Sequence, residues 1–136
     1  MAAELAYAPV TDKLIDELHG IVGDRLSTAV AVREHHGNGE DYFDAAPPDA
    51  VIFAQSTEEV SAIVKICSNH GAPIIAYGTG TSLEGHVLAL HGGVCIDLSE
   101  MKDVLEVNEE DLDCRVQAGV TPKQLNEERR APGRFF

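Results

Sequence analysis

Residues 47–85 read PPDAVIFAQSTEEVSAIVKICSNHGAPIIAYGTGTSLEG, and three structural signals follow one another closely in them. Ala50 to Ala54 is a short apolar run between Asp49 and Gln55, which predicts a buried strand. Ser56 followed by Glu59 is a capping box that opens a helix. Val60, Ile63, Val64 and Cys67 then fall on one helical face. Gly71 stands where a left-handed C-cap is wanted, and Pro73 cannot continue the helix. Ile74 to Ala76 is a second buried strand. Strand, helix and strand at this spacing predict a β-α-β unit, with its two strands parallel and joined by a right-handed crossover.

The residues after that second strand carry the chemistry. Tyr77 to Gly85 reads YGTGTSLEG. Gly78 and Gly80 can take positive φ and let a ligand approach the backbone closely. Alternating backbone signs would turn successive N–H groups toward one point, an anion-binding nest. Thr79, Thr81 and Ser82 add hydroxyl donors. No Lys or Arg occurs between Pro73 and Met101, so a phosphate here would be held with little neutralisation of its charge. A P-loop needs GxxxxGK[ST], which is absent. A dinucleotide fingerprint GxGxxG would need a third glycine where Leu83 stands. The hydrolase elbow GxSxG fails because Gly80-Thr81-Ser82-Leu83-Glu84 ends in Glu. Spacing alone leaves two readings open, an anion site and a Gly-rich turn that binds nothing.

Outward from this core, Thr11 to Val22 places Leu14, Ile15, Leu18, Ile21 and Val22 at helical spacing, and Gly23 ends the helix. Residues 33–49 are polar and rich in Gly and Pro, which predicts a long connecting segment. His35 and His36 fall in it and are expected to be solvated. From Gly93 the character changes: Val94 to Leu98, Val104 to Val107 and Cys114 to Ala118 are short strand candidates between polar turns. Cys114, Val116 and Ala118 are expected to point inward. Asp97 should cap the turn through Ser99 and Glu100. Glu84 should face solvent or accept backbone N–H groups in its turn. Thr121, Pro122 and Gln124 start a last helix, expected to run to about Arg130. Phe135 and Phe136, next to Pro132-Gly133, suggest that more chain follows to bury them.

The chain has 136 residues, 44% of them hydrophobic, enough for one domain with a real core. Its formal net charge of −13 disfavours nucleic acid and anionic membrane as partners. Cys67, Cys95 and Cys114 are odd in number and widely spaced, so no disulfide framework is implied and a reducing compartment fits. Cys67-x-x-His70 is the only CxxH pair, and it suits a core cysteine and a helix-end histidine better than a metal site. No metal ligand set is expected. The opening MAAELAYAPVTDKL has neither a basic region nor a long apolar run. No signal, transit or transmembrane segment is read there, and the expected compartment is the cytoplasm.

The stretch from about Val32 to the chain end resembles the start of the FAD-binding domain of the vanillyl-alcohol-oxidase (PCMH-type) flavoenzymes. The resemblance rests on AVREHHG, on residues 47–87, on GGVCIDLSEMKDVLEV and on VQAGVTPKQLNEE. The loop PIIAYGTGTSLEG is its most specific part; HGNGED departs from the family's usual HGxDES. Within the family the chain is most similar to the branch that holds D-lactate dehydrogenase (cytochrome) and glycolate oxidase.

That resemblance implies an α+β fold, a parallel β-α-β subdomain followed by the start of a mainly antiparallel one. It divides the chain into an N-terminal segment, 1–46, and an incomplete FAD-binding domain, 47–136. It implies that Ala76, Tyr77, Gly78, Thr79, Gly80, Thr81 and Ser82 contact the FAD diphosphate, mainly through backbone N–H, with Gly85 and His86 close by. Some relatives attach FAD through a loop histidine; Thr81 holds the matching position, so FAD should be non-covalent. A second set of FAD contacts and a cap domain with the catalytic groups would follow Phe136, so no catalytic residue is assigned, and 136 residues alone should be inactive and bind FAD weakly if at all. The implied reaction takes two electrons from a small D-2-hydroxy acid, D-lactate to pyruvate or alternatively glycolate, and passes them to a cytochrome or quinone. The full-length protein would then be cytoplasmic or peripheral at the inner membrane. Two other classes suit the residues, a non-enzymatic phosphate- or nucleotide-binding module and a plain α/β interaction domain.

Overall fold

The computed structural model describes residues 6–128. The first helix, α1 (Asp12–Val22), begins where the Leu14 N–H donates to the Thr11 hydroxyl and ends at Gly23 with φ +57°. A 3-10 turn (Gly23–Arg25) leads into the short strand β1 (Leu26–Ser27) and then the helix α2 (Val30–His36). Strand β2 (Ala50–Phe53), helix α3 (Thr57–His70) and strand β3 (Ile74–Tyr77) follow as the sequence predicts. The Glu59 N–H donates to the Ser56 hydroxyl at the start of α3, and Gly71 is left-handed with φ +66° at its end. Strand β4 (Val94–Asp97), the hairpin β5 (Val104–Asn108) and β6 (Asp113–Val116), and helix α4 (Pro122–Glu128) complete the order. The Gln124 N–H donates to the Thr121 hydroxyl, as the helix-start reading requires. The expected extension of α4 to Arg130 lies outside the described residues.

The main sheet runs β1-β2-β4-β3. β2 and β3 are parallel, but each pairs with β4 rather than with the other. The sequence placed Val94–Leu98 after a change of character, yet β4 is the centre of the first sheet. The reason is burial. Every residue of β4 is buried, as a parallel strand covered on both faces must be. β3 instead alternates exposed and buried, the pattern of an edge. β1 pairs antiparallel with β2 at the other edge, and a separate antiparallel hairpin begins at β5, whose partner β6 alternates exposed Asp113 and Arg115 with half-buried Cys114 and Val116. Ala118 is exposed and lies past the end of β6, contrary to its expected inward place.

Two apolar layers sandwich the sheet. On one face Leu14, Leu18 and Val22 of α1 and Ile63 and Cys67 of α3 pack on Ile52, Val94 and Ile96. Ile21 lies outside this stripe and is exposed. Burying a side chain such as Leu18, 0% exposed, contributes roughly 2 kcal/mol. On the other face Val51, Cys95 and Tyr77 pack with Val87 and Val32. Arg25 ties the N-terminal segment to both layers: its guanidinium donates to the Glu59 carboxylate at 2.7 and 2.5 Å and to the Phe53 carbonyl at 2.9 Å. The Arg25 bonds hold the Glu59 carboxyl below its usual range, against the opposing effect of burial.

α2 corrects the expected connecting segment, since its residues fall within or beside 33–49. Too short to show apolar periodicity, it is held by tertiary contacts of Val32 and His36. His36 is therefore buried, not solvated.

Candidate functional site

β2, β4 and β3 end level with one another, with Phe53 and Tyr77 both in register with Asp97. Ligands of open parallel sheets bind outside these carboxyl ends. The loop after Tyr77 emerges there. The Leu98 N–H donates to the Tyr77 carbonyl at 3.0 Å and fixes the loop's first residue to β4.

Gly80 has φ +72°, as expected of a residue that turns the backbone. Gly78 does not have positive φ, so its expected role in the turn is corrected. A Cβ on Gly78 would meet nothing within 4 Å, whereas one on Gly80 would run into the Tyr77 hydroxyl and lie 2.7 Å from the ring carbon Cζ. The Thr79 and Thr81 hydroxyls are 3.1 Å apart. Ser82 Oγ accepts the Glu84 N–H at 3.4 Å, and the exposed Glu84 carboxylate faces solvent. Among the described residues, no backbone N–H from Gly78 to Leu83 is paired with a protein acceptor. The loop thus offers unpaired N–H groups and clustered hydroxyls with no cation. That donor set fits a diphosphate, whose oxygens only accept.

The other expected contacts are placed less uniformly. Ala76 is exposed on the sheet face opposite Tyr77. Gly85 has φ +72° and packs against Phe43 and Leu88. His86 is exposed and lines a cleft of about 280 Å³ beside Pro73, Ile74 and Ile75, along the β3 edge.

Sequence reasoning missed the buried pair behind the loop. His36 Nε2 lies 2.8 Å from Asp97 Oδ2, and the two residues are 3% and 4% exposed. His36 Nδ1 lies 2.8 Å from the Val32 carbonyl, which can only accept, so Nδ1 carries a proton. The Nε2 contact is a direct imidazole–carboxylate bond between two buried groups. Asp97 Oδ1 accepts the Ser99 N–H at 2.7 Å, which is the cap the sequence predicts. The missed signal was an acid closing an apolar strand: a buried carboxylate requires a partner. The Tyr77 ring lies 4.4 Å from the His36 ring, and burial followed by the nearby Asp97 charge pushes its hydroxyl pKa up. Ala31, Val32, His35, His36, Phe53 and Asp97 line a cavity of about 350 Å³ at the same end of the sheet.

The cysteines are not a ligand set. Burial pushes the Cys67 thiol up to about 11 and the Cys95 thiol up to about 12. His70 pairs with Glu17 at 3.1 Å. Among the described residues no three His, Cys, Asp or Glu side chains converge on a point.

Residues 48–136 match the model of the FAD binding domain family. The chain is 44% identical over 132 residues to a probable mitochondrial D-lactate dehydrogenase of Danio rerio, covering 96% of this chain and 27% of that one. It is 44% identical over 132 residues to a mitochondrial D-lactate dehydrogenase (cytochrome) of Arabidopsis thaliana, covering 96% of this chain and 23% of that one. It therefore spans about a quarter of the length of these relatives. The solved structure of p-cresol methylhydroxylase with substrate bound shares its fold, with a TM-score of 0.73 at 24% identity over 90% of this chain and 26% of that one. The expected cytoplasmic location is overturned, because these relatives are named mitochondrial. It rested on a missing leader pattern, and a missing pattern says nothing about a compartment. With the match running through the donor loop itself, the chain belongs to the FAD binding domain family, in a fold of the p-cresol methylhydroxylase type.

Proposed function

We propose that this chain supplies the diphosphate-holding part of a flavin-dependent D-2-hydroxy-acid dehydrogenase, with D-lactate as substrate and pyruvate as product. The observation that carries the proposal is the cation-free donor loop at the carboxyl ends of the parallel strands. In this reading Gly78 to Ser82 give N–H and hydroxyl donors to the diphosphate, and Ala76 and Tyr77 set the direction in which the loop leaves the sheet. Gly85 and His86 flank it. FAD, when bound, supplies the acceptor for the two electrons of the substrate's Cα–OH. The residues described here bind and orient; none is assigned a catalytic role. Thr81 stands where the resemblance places the flavin-linked histidine of some relatives, so FAD is held non-covalently. The electrons leave to a cytochrome or quinone; the name of the Arabidopsis relative supports the cytochrome. The division at 46/47 is kept as part of the proposal, supported by a family match that starts at residue 48.

The test uses the longest natural protein that carries this chain. Purified, it should be yellow, release its flavin on acid precipitation, and bleach when D-lactate is added without oxygen. Faster bleaching by glycolate would move the substrate assignment to the glycolate oxidases. Colourless protein that takes up no FAD on titration would sink the proposal and favour a binding module of another kind.

A further inference from the structure

We propose that Asp97, His36 and Tyr77 form a positioning column that sets the backbone of Gly80, and through it the donors offered to the FAD diphosphate. The inference rests on the function proposed above. Its base is the strand register. Phe53 and Tyr77 flank Asp97 in register across β2, β4 and β3, so the three side chains stand in a row on one sheet face. His36 is laid across that row from α2. Its Nε2 is 2.8 Å from Asp97, and its ring centroid is 4.4 Å from that of Tyr77 and 5.7 Å from that of Phe53. The Val32 carbonyl, 2.8 Å from Nδ1, fixes the other side of the ring. With both nitrogens bonded, the imidazole cannot turn without leaving a buried polar group unpaired.

Tyr77 is the upper part of the column. It is 7% exposed, backed by His36, and its hydroxyl lies directly against Gly80. No hydrogen bond to Tyr77 Oη is made among the described residues, so the hydroxyl acts as a wedge. Gly80 passes over it with φ +72°. The wedge holds the two peptides at Gly80 in one orientation, and those peptides carry N–H groups of the donor set. A tilt of the His36 ring would therefore reach the ligand through Tyr77 without any contact between His36 and FAD.

The bonding pattern makes a sharp distinction between two substitutions at Asp97. Asp97→Ala leaves His36 Nε2 and the Ser99 N–H without partners. Asp97→Asn keeps both bonds with a neutral imidazole: the amide N–H donates to Nε2, and the amide oxygen accepts from Ser99. The experiment measures, on the longest natural protein that carries this chain, the ¹⁵N order parameter of the Gly80 amide and the Kd for FAD by flavin fluorescence. Asp97→Ala should lower the Gly80 order parameter from about 0.85 toward 0.6. It should weaken FAD binding about tenfold, the factor that goes with one lost buried hydrogen bond. Asp97→Asn should restore both. Tyr77→Phe, which keeps the ring and removes the wedge, should loosen Gly80 and weaken FAD binding several-fold, and it serves if Asp97→Ala does not fold. Unchanged Gly80 order and FAD affinity in Tyr77→Phe and Asp97→Ala would overturn the column. So would Asp97→Asn behaving like Asp97→Ala. If Gly80 responds as stated but no variant and no wild type takes up FAD, the column stands as the support of the loop and the FAD reading falls.

Discussion

Replacing Gly80 by alanine tests the loop where its geometry is most demanding. Gly80 has φ +72°, a region that costs a residue with a Cβ about 1–2 kcal/mol. The new methyl would also meet the Tyr77 hydroxyl, with ring carbons Cζ and Cε2 at 2.7 and 3.1 Å. Tyr77 cannot easily give way, because the His36 ring stands 4.4 Å behind it. Overpacking of that kind costs about 1–3 kcal/mol. Together these make roughly 2–5 kcal/mol, a large part of the 5–15 kcal/mol that holds a domain folded. The cheaper escape is to flip the Gly80 peptide, which relieves the strain and turns N–H groups away from the ligand. Gly80→Ala should therefore lose about 1–3 kcal/mol of stability in urea unfolding and at least about tenfold in FAD affinity. Gly78→Ala is the internal contrast. Its φ is not positive and nothing lies within 4 Å of the added Cβ. It should keep or gain stability, within about 1 kcal/mol, while weakening FAD binding by filling space beside the diphosphate. Equal stability losses for the two substitutions, or a Gly80→Ala protein that unfolds and binds FAD like the wild type, would refute this reasoning.

Other consequences can be checked as directly. The loop has no Lys or Arg between Pro73 and Met101 and the chain carries −13, so added salt screens repulsion and not attraction. FAD affinity should hold or rise as NaCl is raised from about 20 to 300 mM; a steep fall in a titration series would mean that a cation holds the phosphates. Arg25 holds the Glu59 carboxyl below its usual range, so this pair's stabilisation is complete above the unfolded value near about 4.3 and is lost as pH falls through the folded value. Glu59→Gln should cost about 1–2 kcal/mol at pH 7 and flatten the decline of stability below about pH 5, as read from urea midpoints. Cys67 and Cys95 are buried, with thiols raised to about 11 and about 12, so half-buried Cys114 should be labelled first and alone by a thiol reagent near neutral pH.

What could be read from the sequence is what local chemistry fixes. The Ser56 cap, the Gly71 stop and the apolar stripe of α1 act within a few residues of themselves, and the structure places them as expected except for exposed Ile21 and for Thr11, which caps α1 instead of beginning it. The donor loop was legible for the same reason, since its hydroxyls and glycines are consecutive. What was not legible depends on partners far along the chain. The place of β4 between β2 and β3 is decided by which strand is buried on both faces, which the apolar runs AVIF, IIAY and VCID do not distinguish. The helix α2 forms because His36 finds Asp97, 61 residues later, and no pattern within residues 33–49 reports that bond. The φ of Gly78 escaped as well, because a glycine permits either sign and only the path of the loop selects one.

The most direct measurement is a ¹H–¹⁵N correlation spectrum of the longest natural protein that carries this chain, freed of flavin and titrated with FAD, with the amides assigned. The expected result is that the largest shifts fall on Gly78, Thr79, Gly80, Thr81 and Ser82, that Gly85 and His86 follow with smaller ones, and that adenosine without phosphates leaves the five unmoved. Shifts centred elsewhere, or none at saturating FAD, would contradict the assignment of this loop to the FAD diphosphate.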